Sequence, residues 1–80
     1  MKVKICGITN VSDALAAEMF GADIIGMVFS KSPREIGVKT GKKIVSALSP
    51  FTMTAGVFAD EKPGKVISVF NSAGIDIIQL

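Results

Sequence analysis

The chain has 80 residues, 49% of them hydrophobic and 20% charged, a mix that builds one small folded domain and excludes a disordered tail. Nine Lys and Arg stand against seven Asp and Glu, a formal charge of +2, which is too weak to argue for a nucleic-acid footprint or a polybasic membrane patch. No His is present, which removes Ser-His-Asp and Cys-His dyads and most zinc catalysis.

Val3 to Ile8 is an apolar run of strand length, cut short by Thr9 and Asn10 before it could form a signal-peptide core. Alternation along it predicts Val3 and Ile5 toward helices, and Lys2, Lys4 and Cys6 on the opposite face. A lone Cys makes no internal disulfide, so the chain reads as one for a reducing compartment, the cytosol. A first helix is expected after Asn10 and Ser12, both good N-caps, with Leu15, Ala16, Met19 and Phe20 on its buried stripe and Gly21 as its stop. Ile24 to Phe29 reads as the second strand, far below the roughly 18 to 20 residues that cross a bilayer.

Ser30 to Lys39 forms a loop long enough to carry function. A second helix is expected from about Thr40, with Gly41, Ile44, Val45 and Leu48 on one face and Ser49-Pro50 as its limit. Met53 to Phe58 is the third strand. Asp60 or Glu61 is expected to cap a third helix with Pro63 in its first turn and Val66, Val69, Phe70 and Ala73 inward. Ile75 to Leu80 closes the order βαβαβαβ. Such alternation implies a parallel sheet with right-handed crossovers, and all three helices on one face if the strand order is sequential. The competing fold is a doubly wound, flavodoxin-like domain, with helices on both faces. Gly21-Ala22-Asp23-Ile24-Ile25 is echoed by Gly74-Ile75-Asp76-Ile77-Ile78, each a helix stop followed by entry into a strand.

Chemistry is sought at the C-terminal ends of parallel strands. Cys6 stands there, followed by Gly7. As a thiolate it would serve as base or nucleophile, with Lys4 on the same face favouring the charged form, and the competing reading is a small buried hydrophobe. Ser32-Pro33-Arg34 follows the second strand, where an Arg offers a two-pronged grip on carboxylate or phosphate, in a neighbourhood made basic by Lys31, Lys39, Lys42 and Lys43. A solvated loop with ordinary surface cations is the alternative. Asp60 and Glu61 suit capping better than acid-base work. Gln79, given the inward parity of Ile75 and Ile77, either lines a pocket or is a satisfied amide. No glycine-rich phosphate motif and no metal-ligand spacing occurs.

These residues together resemble a known family. Lys4-Ile5-Cys6-Gly7-Ile8-Thr9 is similar to the N-terminal signature of phosphoribosylanthranilate isomerases, and Asp13-Ala14, Gly21-Ala22-Asp23, Gly26-Met27-Val28-Phe29, Ser32-Pro33-Arg34, Gly56-Val57-Phe58 and Gln79-Leu80 follow in that family's order. The resemblance implies a (β/α)8 barrel, of which the chain holds the first four strands and three helices as an N-terminal fragment. It implies a cofactor-free Amadori rearrangement in tryptophan biosynthesis, from N-(5-phosphoribosyl)anthranilate to 1-(2-carboxyphenylamino)-1-deoxyribulose 5-phosphate. Cys6 would be the general base, and Arg34 and Gly7 would bind substrate, Arg34 through the anthranilate carboxylate. The general acid, an Asp on a later strand, and the phosphate loops lie outside the chain. It is therefore expected to be inactive alone and to self-associate or pair with a complementary C-terminal half. The alternatives are another phosphosugar barrel enzyme, such as an aldolase or epimerase, and a non-catalytic half-barrel whose role is assembly.

Overall fold

The computed structural model describes residues 1–80, in the order β1 (Lys4–Ile5), α1 (Val11–Met19), β2 (Ile24–Val28), α2 (Val38–Ala47), β3 (Met53–Val57), α3 (Pro63–Ala73) and β4 (Ile77–Gln79). The four strands pair in sequential order, all parallel. Each crossover therefore steps the same way, and α1 packs on α2 and α2 on α3 in a single layer, as right-handed connections require. A doubly wound sheet needs a reversal of strand order that is absent. No helix is long and apolar enough to cross a membrane.

The core lies between helices and sheet. Ile25 and Met27 of β2, with Phe29 just beyond it, point to the helices and are at most 2% exposed, and Phe58 stacks on Phe29 with ring centroids 5.7 Å apart. Ile44 of α2 and Val66, Val69 and Ala73 of α3 close over them, as their helical spacing predicts. Ile75 joins this core at 4% exposure, against the expectation that it shares the face of Gln79. The regular alternation starts only at Ile77, where β4 begins to pair with β3.

The first helix departs most from expectation. Asn10 does cap it, its side-chain oxygen accepting from the Asp13 N–H at 2.8 Å. The stripe expected inside faces outward instead: Met19 and Phe20 are 85% and 90% exposed and Leu15 is also exposed, whereas Ala14 is buried and Val11 and Ala17 pack against the core. The face that meets the core is the one carrying the small Ala14. Val3 and Ile5 lie on the helical side as predicted, but β1 is an edge strand and leaves them 44% and 40% exposed. With Ile8, Ala16, Ala17, Phe20 and Ala22 they line an open apolar groove.

Carboxylates hold the N-terminal ends of the strands. Asp23 accepts the Val3 N–H at 2.8 Å and returns its own N–H to the Val3 carbonyl at 2.8 Å. Asp76 repeats both bonds on Thr54, at 2.9 and 3.0 Å, and also takes the Thr54 hydroxyl at 3.2 Å. The two echoed sequences are thus one device used twice, each following a glycine of positive φ, Gly21 and Gly74. Glu18 of α1 does similar work on the α2–β3 loop, accepting the Ser49 N–H at 2.8 Å and the Thr52 hydroxyl.

Candidate functional site

At the opposite, C-terminal end of the sheet, β1 gives way to a turn built on one carbonyl. The N–H groups of Gly7 and Ile8 both donate to the Gly26 oxygen, at 3.0 and 3.1 Å, and Gly7 takes φ 84°, which suits only a residue without a side chain. Ile8 turns down into the core. Cys6 is left exposed on the concave face, away from the helices. That face is the one Gly26 presents, because its neighbours Ile25 and Met27 point into the helical core. A Cβ added to Gly26 would stand 2.9 Å from the Cys6 sulfur. A side chain there would displace the thiol.

The long loop after β2 is folded back on the strand. Ile36 donates to the Val28 carbonyl at 2.9 Å, Glu35 to the Ser32 carbonyl at 3.1 Å, and the Arg34 N–H to the Ser32 hydroxyl at 3.0 Å. This turn delivers Arg34 across to the first strand, where its Nη1 donates to the Gly7 carbonyl at 3.2 Å. A guanidinium carries five N–H donors, and the Arg34 side chain gives no other bond to the protein. The rest of the fork is free for an anion.

Two further groups reach this end. Lys4 sends its ammonium across the concave face to the Gln79 side-chain carbonyl, so Gln79 does line the concavity. Ser30, 3% exposed at the end of β2, accepts the Ala59 N–H at 2.9 Å and faces Glu61. The Lys65 ammonium, 3.1 Å away, and then the Ser30 hydroxyl hold the Glu61 carboxyl below its ordinary value of 4.5. Neither acidic residue caps α3, contrary to expectation: the cap position is Lys62, with no side-chain bond, and Asp60 sits at φ 55°. Proline's fixed φ at the first helical position does the starting instead. Lys39, Lys42 and Lys43 line a separate depression on α2 with Ser46 and Ala47.

Sequence reasoning thus placed Cys6, Gly7 and Arg34 correctly at one rim but overlooked Gly26 and Ser30. The signal for Gly26 was available: a glycine inside a strand often marks close approach by another group. Ser30 leaves no such trace.

A one-sided parallel sheet with a thiol and a guanidinium at the carboxyl ends of adjacent strands has the architecture of the ligand-bearing end of a βα-barrel enzyme. Comparison with known proteins gives the family. A family profile described as N-(5'phosphoribosyl)anthranilate (PRA) isomerase matches residues 3–80, and the chain belongs to that family. It is 45% identical over 80 residues to the N-(5'-phosphoribosyl)anthranilate isomerase of Rubrobacter xylanophilus, covering 99% of this chain and 39% of the relative. The crystal structure of the Thermotoga maritima phosphoribosyl anthranilate isomerase superposes with a TM-score of 0.97 at 42% identity, covering all of this chain and 40% of that one. A phosphoribosyl anthranilate isomerase solved in complex with reduced 1-(o-carboxyphenylamino)-1-deoxyribulose 5-phosphate gives 0.96 at 42% identity, covering 100% and 42%. The chain spans about two-fifths of the length of the relatives it matches, and its four strands are the N-terminal half of the (β/α)8 barrel.

Proposed function

We propose that these residues supply the base and the carboxylate-binding side of a phosphoribosylanthranilate isomerase acting in tryptophan biosynthesis. The observation that carries this reading is the Arg34–Gly7 contact at 3.2 Å. It brings a guanidinium with a free fork to the residue after the only thiol, from 27 positions further along the chain. In the rearrangement, an acid supplied from elsewhere in the barrel protonates the ribose ring oxygen and opens the ring to an iminium. The Cys6 thiolate then takes the proton from C2. The C–H electron pair becomes the C1–C2 double bond, the iminium pair returns to nitrogen, and the enol passes to the ketone as C1 is protonated. Arg34 grips the anthranilate carboxylate and sets C2 against the sulfur, since proton transfer requires a hydrogen-bond approach. Gly7 offers backbone without a side chain at the same rim. A reduced, free Cys6 suits a cytoplasmic setting.

The ligand named in the complex of the related isomerase is a phosphorylated sugar bearing an aromatic carboxylate, which matches a thiol flanked by a guanidinium. The uncovered apolar groove beside β1 and the free edge of β4 favour a covering partner, either the complementary half of the barrel or a second copy. The test is complementation: the 80-residue chain mixed with strands five to eight of the Thermotoga maritima enzyme is expected to convert phosphoribosylanthranilate, and Cys6→Ala to abolish turnover. The chain by itself is expected to be inactive. Turnover that survives Cys6→Ala would overturn the assignment of the base.

A further inference from the structure

We propose that Lys4 is a positioning residue of this site: tethered by Gln79, its ammonium is a fixed positive charge beside the Cys6 sulfur. The inference rests on the reading of Cys6 as the proton-abstracting group, and it goes beyond the shared strand face of Lys4 and Cys6 to the tether that holds the ammonium.

A lysine on a strand ordinarily swings its flexible stem into solvent. Lys4 does not. It stands half-buried on β1, and its ammonium donates to Gln79 on β4, three strands away in the sheet and four register positions further along. Such a reach crosses β2 and β3 and needs a low floor between them. Gly26 of β2 and Ala55 of β3, paired in register, provide that floor. A Cβ on Gly26 would stand 3.0 Å from Lys4 Cε and 2.9 Å from Cys6 Sγ, so the two distances bound the sulfur and the carbon next to the ammonium to a separation of no more than 5.9 Å. The bare glycine thus accommodates both side chains at once. No carboxylate neutralises the ammonium, because the one ion pair in the chain joins Lys65 to Glu61. Its field therefore falls on the sulfur and on whatever enters beside it.

The test uses the single thiol of the 80-residue chain. Cys6 is alkylated at low ionic strength with iodoacetate, an anion, and with iodoacetamide, its neutral counterpart. The ratio of the two rates reports local charge, because thiol exposure and ionisation cancel in it. The ammonium nitrogen lies one bond, about 1.5 Å, beyond Lys4 Cε, and a unit charge about 6 to 7 Å away in water changes the ratio about two- to threefold. Lys4→Met is expected to lower the ratio by that factor, Lys4→Arg to retain it, Gln79→Leu to lower it by releasing the tether, and Lys65→Met to leave it unchanged. Salt at about 1 M should erase the difference. An unchanged ratio in Lys4→Met overturns the proposal, as does a ratio lowered by Lys4→Met but not by Gln79→Leu. Should Lys4→Met lose its helical circular dichroism, Gln79→Leu decides alone. Labelling is independent of turnover, so failure here leaves the isomerase reading standing, and failure of that reading leaves the ratio unaltered.

Discussion

Replacing Asp76 or Asp23 by Ala makes the same chemical change at the two echoed sites, yet the structure predicts different costs. Asp76 accepts both the N–H and the hydroxyl of Thr54, a residue 2% exposed. Removing the carboxylate takes the partner from two donors of a buried residue; Asp76 itself is exposed, so water enters part of the vacated space, and the loss is about 1–3 kcal/mol. Asp23 accepts only the N–H of Val3, which is 44% exposed, so solvent takes over and the loss is about 0.5–1 kcal/mol. A domain of this size has about 4–12 kcal/mol of total stability, so the first substitution is a large fraction of it and the second is small. Equilibrium urea unfolding followed by far-UV circular dichroism measures both, the chain having no Trp or Tyr to report by fluorescence. With Thr54→Val as background, Asp76→Ala should cost about 1 kcal/mol less, since the hydroxyl is already gone. Equal losses at the two aspartates would refute the reasoning, because burial of the donor would then not set the cost.

Asn10→Ala removes the only side-chain cap of α1 and should cost about 1 kcal/mol by the same unfolding assay. Gly26→Ala forces a methyl between the Cys6 sulfur, the Lys4 stem and the Cys6 Cα at 3.2 Å. It should cost about 1–3 kcal/mol, and a neutral result would show that the turn yields more readily than its two bonds to the Gly26 carbonyl suggest. Glu61 has a folded-state value depressed below 4.5 by Lys65 and then Ser30. Its contribution is present above pH 4.5 and lost as pH falls through the depressed value. Melting curves between pH 3 and 7 should therefore show Glu61→Gln less stable than the parent at pH 7 and converging with it in acid.

The order of elements, the parallel sheet and the rim carrying Cys6 and Arg34 were all legible because each rests on local signals: strand-length apolar runs, helical spacing, glycine and proline stops. The buried face of α1 was not. Leu15, Ala16, Met19 and Phe20 form the more apolar stripe, but burial is decided by which side meets the sheet, and that side carries Val11, Ala14 and Ala17. Ile75 was misplaced for a related reason: alternation describes residues already in a ladder, and the chain enters β4 two positions later. The cap of α3 was misjudged because Pro63 starts that helix without side-chain help, which frees Glu61 to join the ends of β2 and β3. The Lys4–Gln79 tie joins residues 75 positions apart, and such contacts exist only once the sheet has curled.

The acidic staples at Asp23, Asp76 and Glu18 all sit where strands begin, while Cys6, Arg34 and Glu61 sit where they end. Anchoring contacts and the candidate site are thereby segregated to opposite poles of one short sheet. Descent can rewrite the residues at one pole without loosening the anchored other, so a scaffold of this kind is able to change what it presents there before it forfeits its shape.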